Sequence, residues 1–516
     1  MTIKTMDRRH LLRTGGALSF LGAAAPFALQ MAAAGSASSQ GAPAYKALVC
    51  VFLLGGNDAN NAVLATDTDS WGRYFAARNT GNDPIALMPV GTAPTAVGQV
   101  SNITGRTATL KTPEAWGGVL PITPKTANPV PPGTNAASRA FALHPFMGPM
   151  RGLFNANRLA IVANIGTLVR PITKAQYLNK TVAFPANLFS HNDQQSTWQA
   201  GSTEGTRFGW GGEFGDMLAG SNGSNALFTA ISTAGNAVFL SGHNVVQYQI
   251  TTAAQPAVAV NAVNTSSLFG SSVAPARISE IIQDTSSANL FLADYSTTVA
   301  RSINSAQTLN GAFAGAAVTA LPAPTAFTNP ITGSVENNSL ATQLQSVARM
   351  IAANSTLGVR RQVFFVAMGG WDTHDFQNTN QPNLLAKVAH ALSYFDGVLG
   401  NIGGQDMRAN VTTFTGSDFS RTFTTNGDGT DHAWGGHHFV MGGAVNGGDI
   451  YGQYPTLGVD LGTFKNPDMA GTAMVPTTSV DQYGATLGRW LGVSDTDMDT
   501  IFPNLRNYSQ RYLNFV

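Results

Sequence analysis

Ala47-Leu48-Val49-Cys50-Val51-Phe52-Leu53-Leu54 is followed directly by Gly55-Gly56-Asn57-Asp58. Eight apolar residues run without polar alternation, so the segment does not read as a strand with one wet face. It reads as a strand buried on both faces of a parallel sheet, opening at its C-terminal end into a polar loop. Cys50, the chain's single cysteine, cannot form an internal disulfide and reads as strand packing. Working outward, the same apolar pattern returns at residues 159–165 and 363–368, and more weakly at 411–415. Helical spacing lies between these runs: Leu340, Leu344, Val347 and Ile351 before the third, and Leu384, Val388, Leu392, Phe395 and Leu399 after it. Strand and helix alternate, which predicts an α/β fold: a doubly wound, mostly parallel sheet with helices on both faces.

Toward the N-terminus, Asp7-Arg8-Arg9-His10-Leu11-Leu12-Arg13 precedes an apolar stretch from about Ala17 to Ala34 that ends in Ala-, Gly- and Ser-rich sequence. Paired arginines, apolar core and small-residue exit occur in the order of a twin-arginine signal peptide, assigned to residues 1–37. Cleavage between Ala34 and Tyr45 is expected, leaving one domain over 45–516 and no stable membrane span. The product is then periplasmic or secreted. Inside the domain, Pro- and Thr-rich sequence at about 84–132 reads as an insertion. So does a Gly/Asn/Ser/Ala-rich region at about 220–335, with a helical excursion expected over 278–307. Charged residues make up only 11% and the formal net charge is +1, which argues against nucleic acid and against an anionic membrane surface as partners.

Asp, His and Asn gather just past the expected strand ends, which is the edge of an open α/β sheet that hosts ligands. Asn57-Asp58 follows the first strand, Asp372-Thr373-His374 the third, and Ser417-Asp418 the fourth; Asp431-His432 and His437-His438 come soon after. Asp372 and His374 stand two apart, so in an extended segment they share a face and can hold one cation. Asp431 and His432 would point apart, and of His437 and His438 only one can face the site, with His438 the expected ligand. Mixed carboxylate and imidazole donors favour zinc or manganese over calcium, as one or two divalent ions. A further segment, Ser190-His191, reads as the start of a helix, where Ser190 is either an N-cap or an activated nucleophile. There is no G-x-S-x-G elbow, P-loop, G-x-G-x-x-G or paired CxxC.

Together, Gly55-Gly56-Asn57-Asp58, Ser190-His191, Gly370-Trp371-Asp372-Thr373-His374, Ser417-Asp418-Phe419-Ser420-Arg421-Thr422 and the block from Asp431 to Gly443 resemble a large bacterial domain family of unknown function. That family carries twin-arginine signals and is grouped with the alkaline phosphatase and sulfatase superfamily. The resemblance implies metals at the C-terminal strand ends and a nucleophile attacking a phosphate or sulfate ester. It maps Asp58, Asp372, His374, Asp431, His432 and either His437 or His438 onto metal ligands, with Asp418 competing for Asp431's place, and position alone puts Ser190, beside His191, at the catalytic nucleophile. The sulfatase Cys-x-Pro-x-Arg motif is absent, and Asp372 and His374 are closer than the superfamily's Asp-x-x-x-His. The expected function is hydrolysis of an ester on a small molecule or polymer. The alternative is a secreted binding or assembly protein that keeps a degenerate, structural metal site.

Overall fold

The run at 47–54 becomes the central strand of a nine-stranded sheet. The computed structural model describes residues 44–131, 134–135, 137–257, 262–263 and 265–516, so the leader at 1–37 lies outside the described residues. In chain order the strands are β1 (Lys46–Leu53), β2 (Leu159–Gly166), β3 (Ala230–Ser232), β4 (Tyr248–Gln249), β5 (Arg361–Met368), β6 (Val411–Ser417), β7 (Gly436–Met441), β8 (Ile450–Tyr451) and β9 (Thr478–Ser479). Their spatial order is β8-β2-β7-β6-β1-β5-β3-β4, with β9 also paired to β2. The sheet is mixed and mostly parallel: only β7 is reversed, antiparallel to both β6 and β2. The four strands legible as apolar runs all point the same way, with β1 parallel to β5 and β6.

Side chains alternate across β1 into two separate cores. Ala47, Val49, Val51 and Leu53 join one, and Leu48, Cys50 and Phe52 the other. In chain order the helices that matter are α1 (Thr68–Arg78), α2 (His191–Ala200), α3 (Trp210–Leu218), α4 (Leu290–Phe313), α5 (Ser339–Ala352), α6 (Gln377–Leu399) and α7 (Val480–Leu491). The first core takes Leu344 and Val347 of α5 and Val388, Leu392 and Phe395 of α6, as their spacing predicts; Leu384 is only partly buried against it. The second takes Trp198 of α2, Trp210 and Phe214 of α3 and Tyr483 of α7. Phe52 lies edge-on to Trp198 at 5.9 Å and stacked with Phe365 at 6.0 Å, pairs each contributing about 0.5–1.5 kcal/mol beyond simple burial. Cys50 is buried and free, which fits its reading as packing.

The helical excursion expected over 278–307 is two helices, Ala274–Ile282 and α4. The break falls at the mostly polar residues 283–289, where the Asn289 side chain accepts from the backbone N–H groups of Phe291 and Leu292 and starts α4 afresh. Among the described residues no helix is long and apolar enough to cross a membrane.

Candidate metal centre

Loops leaving β1, β5 and β6 at their C-terminal ends are drawn together before any candidate ligand is placed. Gly55 has φ +119°, and a Cβ there would lie 2.5 Å from the Asp372 nitrogen; at Gly56, with φ +87°, it would meet the Phe419 ring at 2.5 Å. Gly55 thus lets the loop after β1 lie against the loop after β5, and Gly56 lets it lie against the loop after β6. Arg421, buried, ties the two to a third. Its Nε donates to the Gly56 carbonyl at 3.0 Å, and its guanidinium also donates to the carbonyls of Gly55, Trp371 and Thr430 and to Asp372 Oδ1. Residues 420–422 then run antiparallel to 431–434, pairing Arg421 with His432 and holding the latter over the strand ends.

Four side chains meet there. Asp372 Oδ1 lies 3.3 Å from His374 Nε2 and 3.5 Å from His432 Nε2, and Asp372 Oδ2 lies 3.5 Å from His191 Nε2. The His374 and His432 Nε2 atoms are 2.9 Å apart. Ligand atoms of His191, Asp372 and His432 all lie within 4.8 Å of one another. In a tetrahedral zinc site with bonds of about 2.0–2.1 Å, ligand atoms sit about 3.3 Å apart, so these separations fit one ion.

Proton bookkeeping strengthens the fit. A neutral imidazole has one N–H, and in each ring the Nδ1 faces an acceptor: the Phe189 carbonyl at 2.7 Å for His432, Asp418 Oδ2 at 2.7 Å for His191, and Asp431 Oδ1 at 3.0 Å for His374. In neutral rings protonated at Nδ1, all three Nε2 atoms would present lone pairs toward the Asp372 carboxylate, a set of acceptors suited to a cation. His191 Nε2 is buried with no hydrogen-bond partner. Backbone or carboxylate acceptors behind ligating imidazoles are the usual arrangement that fixes tautomer and aim. The hydrogen bond to Asp418 raises His191 above the ordinary imidazole value against the opposing effect of burial, whereas burial lowers His432. Burial alone would raise the Asp372 carboxyl, but the Arg421 hydrogen bond and charge, with His191 and His374, bring it below the usual range.

The profile of a family described as "Protein of unknown function (DUF1501)" matches residues 45–502. The chain belongs to that family. No curated protein matches it. The matched span takes in the whole cluster, from the glycine pair after β1 to His432 and the reversed strand β7.

Within this family member the structure sorts the expected site residues. Asp372, His374 and His432 come together as read, with Asp431 behind His374 on the exposed rim. His191, expected as a catalytic neighbour, brings Nε2 into the metal-like cluster, and Asp418 stands behind it, also accepting from the Gly55 N–H and Gln195. Asp58 is elsewhere engaged: its carboxylate accepts from Arg78 through both oxygens, from Gln377 Nε2 at 2.7 Å and from the Asn60 N–H. Those donors use its lone pairs, so Asp58 is an internal ion-pair partner and not a member of the cluster.

His437 and His438 do face opposite sides of β7, but neither joins. His437 stacks on Tyr454 at 4.5 Å and accepts from the Asn164 N–H; His438 packs against Trp198 at 5.3 Å in the second core. Burial holds both near a pKa of about 3, so both are neutral core residues. Ser190 does begin α2, although its hydroxyl makes no cap bond and instead donates to Asp193 Oδ2 at 2.9 Å. Arg421 and Arg78 were not foreseen. The signal for Arg421 was an arginine among Ser and Thr in a chain poor in charge, where a lone guanidinium has few partners other than carbonyls and site carboxylates; Arg78, at the end of an amphipathic helix, gave no such signal.

Proposed function

We propose that this chain is an exported hydrolase of phosphate or sulfate esters, depending on one divalent ion, zinc or manganese, held by His191, Asp372 and His432. The observation that carries the reading is the convergence of imidazole lone pairs on Asp372 at the C-terminal edge of a mostly parallel sheet, which favours an alkaline phosphatase-like arrangement. A bound divalent ion supplies Lewis acidity and offsets charge on the non-bridging oxygens of the ester. The chain's own groups do the rest. Ser190 adjoins His191, and Asp193 is placed to take its hydroxyl proton as Oγ attacks phosphorus or sulfur. The bond to the ester alcohol breaks and the departing oxygen takes a proton from solvent water at the exposed rim beside His374 and Asp431. Water then cleaves the seryl ester, releasing phosphate or sulfate and returning the proton to Oγ.

Arg8-Arg9 and the apolar leader support twin-arginine export to the periplasm or beyond. One geometric fact favours a second reading. His374 Nε2 lies 2.9 Å from His432 Nε2 but outside the three-ligand group, and a fourth protein ligand drawn in from there would close the site as in a structural metal centre of a secreted binding or assembly protein. Turnover of aryl phosphates and aryl sulfates by the purified mature protein separates the two. The hydrolase reading expects metal-dependent turnover, abolished in Asp372→Ala and Ser190→Ala. Ion-replete protein that turns over neither ester class would leave the structural reading.

A further inference from the structure

Beside the cluster, a cleft of about 390 Å³ opens between α2, the ends of β1 and β5, and residues 234–238. One wall is a polar stripe of α2. Asn192, Gln195, Ser196 and Gln199 follow one another at i, i+3, i+4 and i+7, so they share a helix face. A stripe of this kind is ordinarily a solvated surface, yet Ser196 and Gln199 are only 8% and 6% exposed. Asn236, Glu204 and Thr206 line the cleft as well.

The amides are half used. Gln195 Nε2 donates to Asp418 Oδ2 at 2.8 Å, leaving Oε1; Gln199 Oε1 accepts from the Phe239 N–H at 3.2 Å, leaving Nε2. Asn236 Oδ1 accepts from Gln247 and Gln249, leaving Nδ2. Among the described residues these remaining atoms have no partner, so the cleft offers acceptor and donor positions side by side above an apolar floor of Leu54, Phe365 and Ala367. No lysine or arginine lines it; Arg207, next to Thr206, lines an adjoining hollow that shares Asn236, Ala237 and Val238.

From this we infer that the cleft binds an uncharged, polyhydroxylated ligand, a saccharide. Each sugar hydroxyl both donates and accepts, which amide side chains match in pairs, and the C–H face of a pyranose suits the apolar floor. An anionic ligand would find no cation here. Gln195 couples the cleft to the cluster, because its amide shares Asp418 Oδ2 with His191 Nδ1. That the saccharide is the alcohol part of the scissile ester rests on the hydrolase reading; that the cleft binds it does not.

The test is affinity electrophoresis of the mature protein in native gels cast with dextran, galactomannan, xyloglucan or laminarin, with alginate, heparin and a casein digest as comparisons. Retardation by at least one neutral polysaccharide is expected. It should weaken about 10-fold or more in Asn236→Ala and in Thr206→Val, a change in the lining that leaves folding intact, and persist in His432→Ala. No retardation by any of the neutral polymers overturns the inference. So does retention only by the acidic polymers and lost in Arg207→Ala, binding of the casein peptides alone, or retention unchanged in both cleft variants. Saccharide binding without ester turnover would sink the hydrolase reading and leave this one standing; turnover without saccharide binding would do the reverse.

Discussion

Asp58→Asn separates structural from metal chemistry at a position that the family resemblance mapped onto a metal ligand. The carboxylate and the Arg78 guanidinium are both fully buried, and Arg78 also donates to Asn61 and to the carbonyls of Thr422 and Phe423. Neutralising Asp58 leaves a buried cation supported only by neutral oxygens, and breaking such a pair costs about 3–5 kcal/mol. Unfolding entropy of about 2.1 cal/mol/K per residue, over a domain of roughly 470 residues, is about 1 kcal/mol/K, so the melting temperature should fall by about 3–5 °C. Arg78→Met should cost a similar amount, and joining it with Asp58→Leu should cost less than the two single changes added together, because the orphaned charge disappears. Calorimetry measures the melting shift, and metal analysis of the folded variant should show the wild-type ion content. An Asp58→Asn protein that melts like wild type but has lost its ion would refute the assignment and return Asp58 to the metal set.

Gly55→Ala should displace the Asp372 loop, since the new Cβ meets backbone at 2.5 Å in a left-handed conformation; a stability loss of at least about 1–2 kcal/mol and weaker ion binding are expected, read by denaturant titration and metal competition. Asp481, in the first turn of α7, has its carboxyl raised from 3.8 to about 7 by burial. A carboxyl raised in the folded state costs nothing below about pH 4 and its full penalty above about pH 7, so Asp481→Asn should stabilise by at most about 4 kcal/mol at pH 8 and by nothing near pH 3.5, checked by urea melts at both. Arg8→Lys with Arg9→Lys should hold the precursor in the cytoplasm, because the export receptor distinguishes guanidinium from ammonium; fractionation with normal secretion would remove the export premise.

What was legible in the sequence is what depends on periodicity. β1, β2 and β5 are nearly continuous apolar runs because both faces are covered, β6 carries the same signal only weakly through its threonines, and α5 and α6 carry spaced stripes because only one face is covered. The reversed β7 was harder, since Gly436, His437 and His438 dilute its apolar signal and its direction is set by partners far away in sequence. At the site, Asp372-x-His374 and Asp431-His432 were readable because near neighbours constrain each other's direction. His191's place in the cluster depends on how α2 docks, and Asp58 and His438 look like ligands until Arg78 and Trp198 are brought against them. Local spacing carries no information about those distant partners.

The most direct test of the account is anomalous diffraction from crystals grown with zinc or manganese, measured above each metal's absorption edge. One strong peak per chain is predicted, about 2.0–2.2 Å from a carboxylate oxygen of Asp372 and from Nε2 of His191 and His432. No peak at that point, or a peak seated instead on Asp58 or His438, would contradict it.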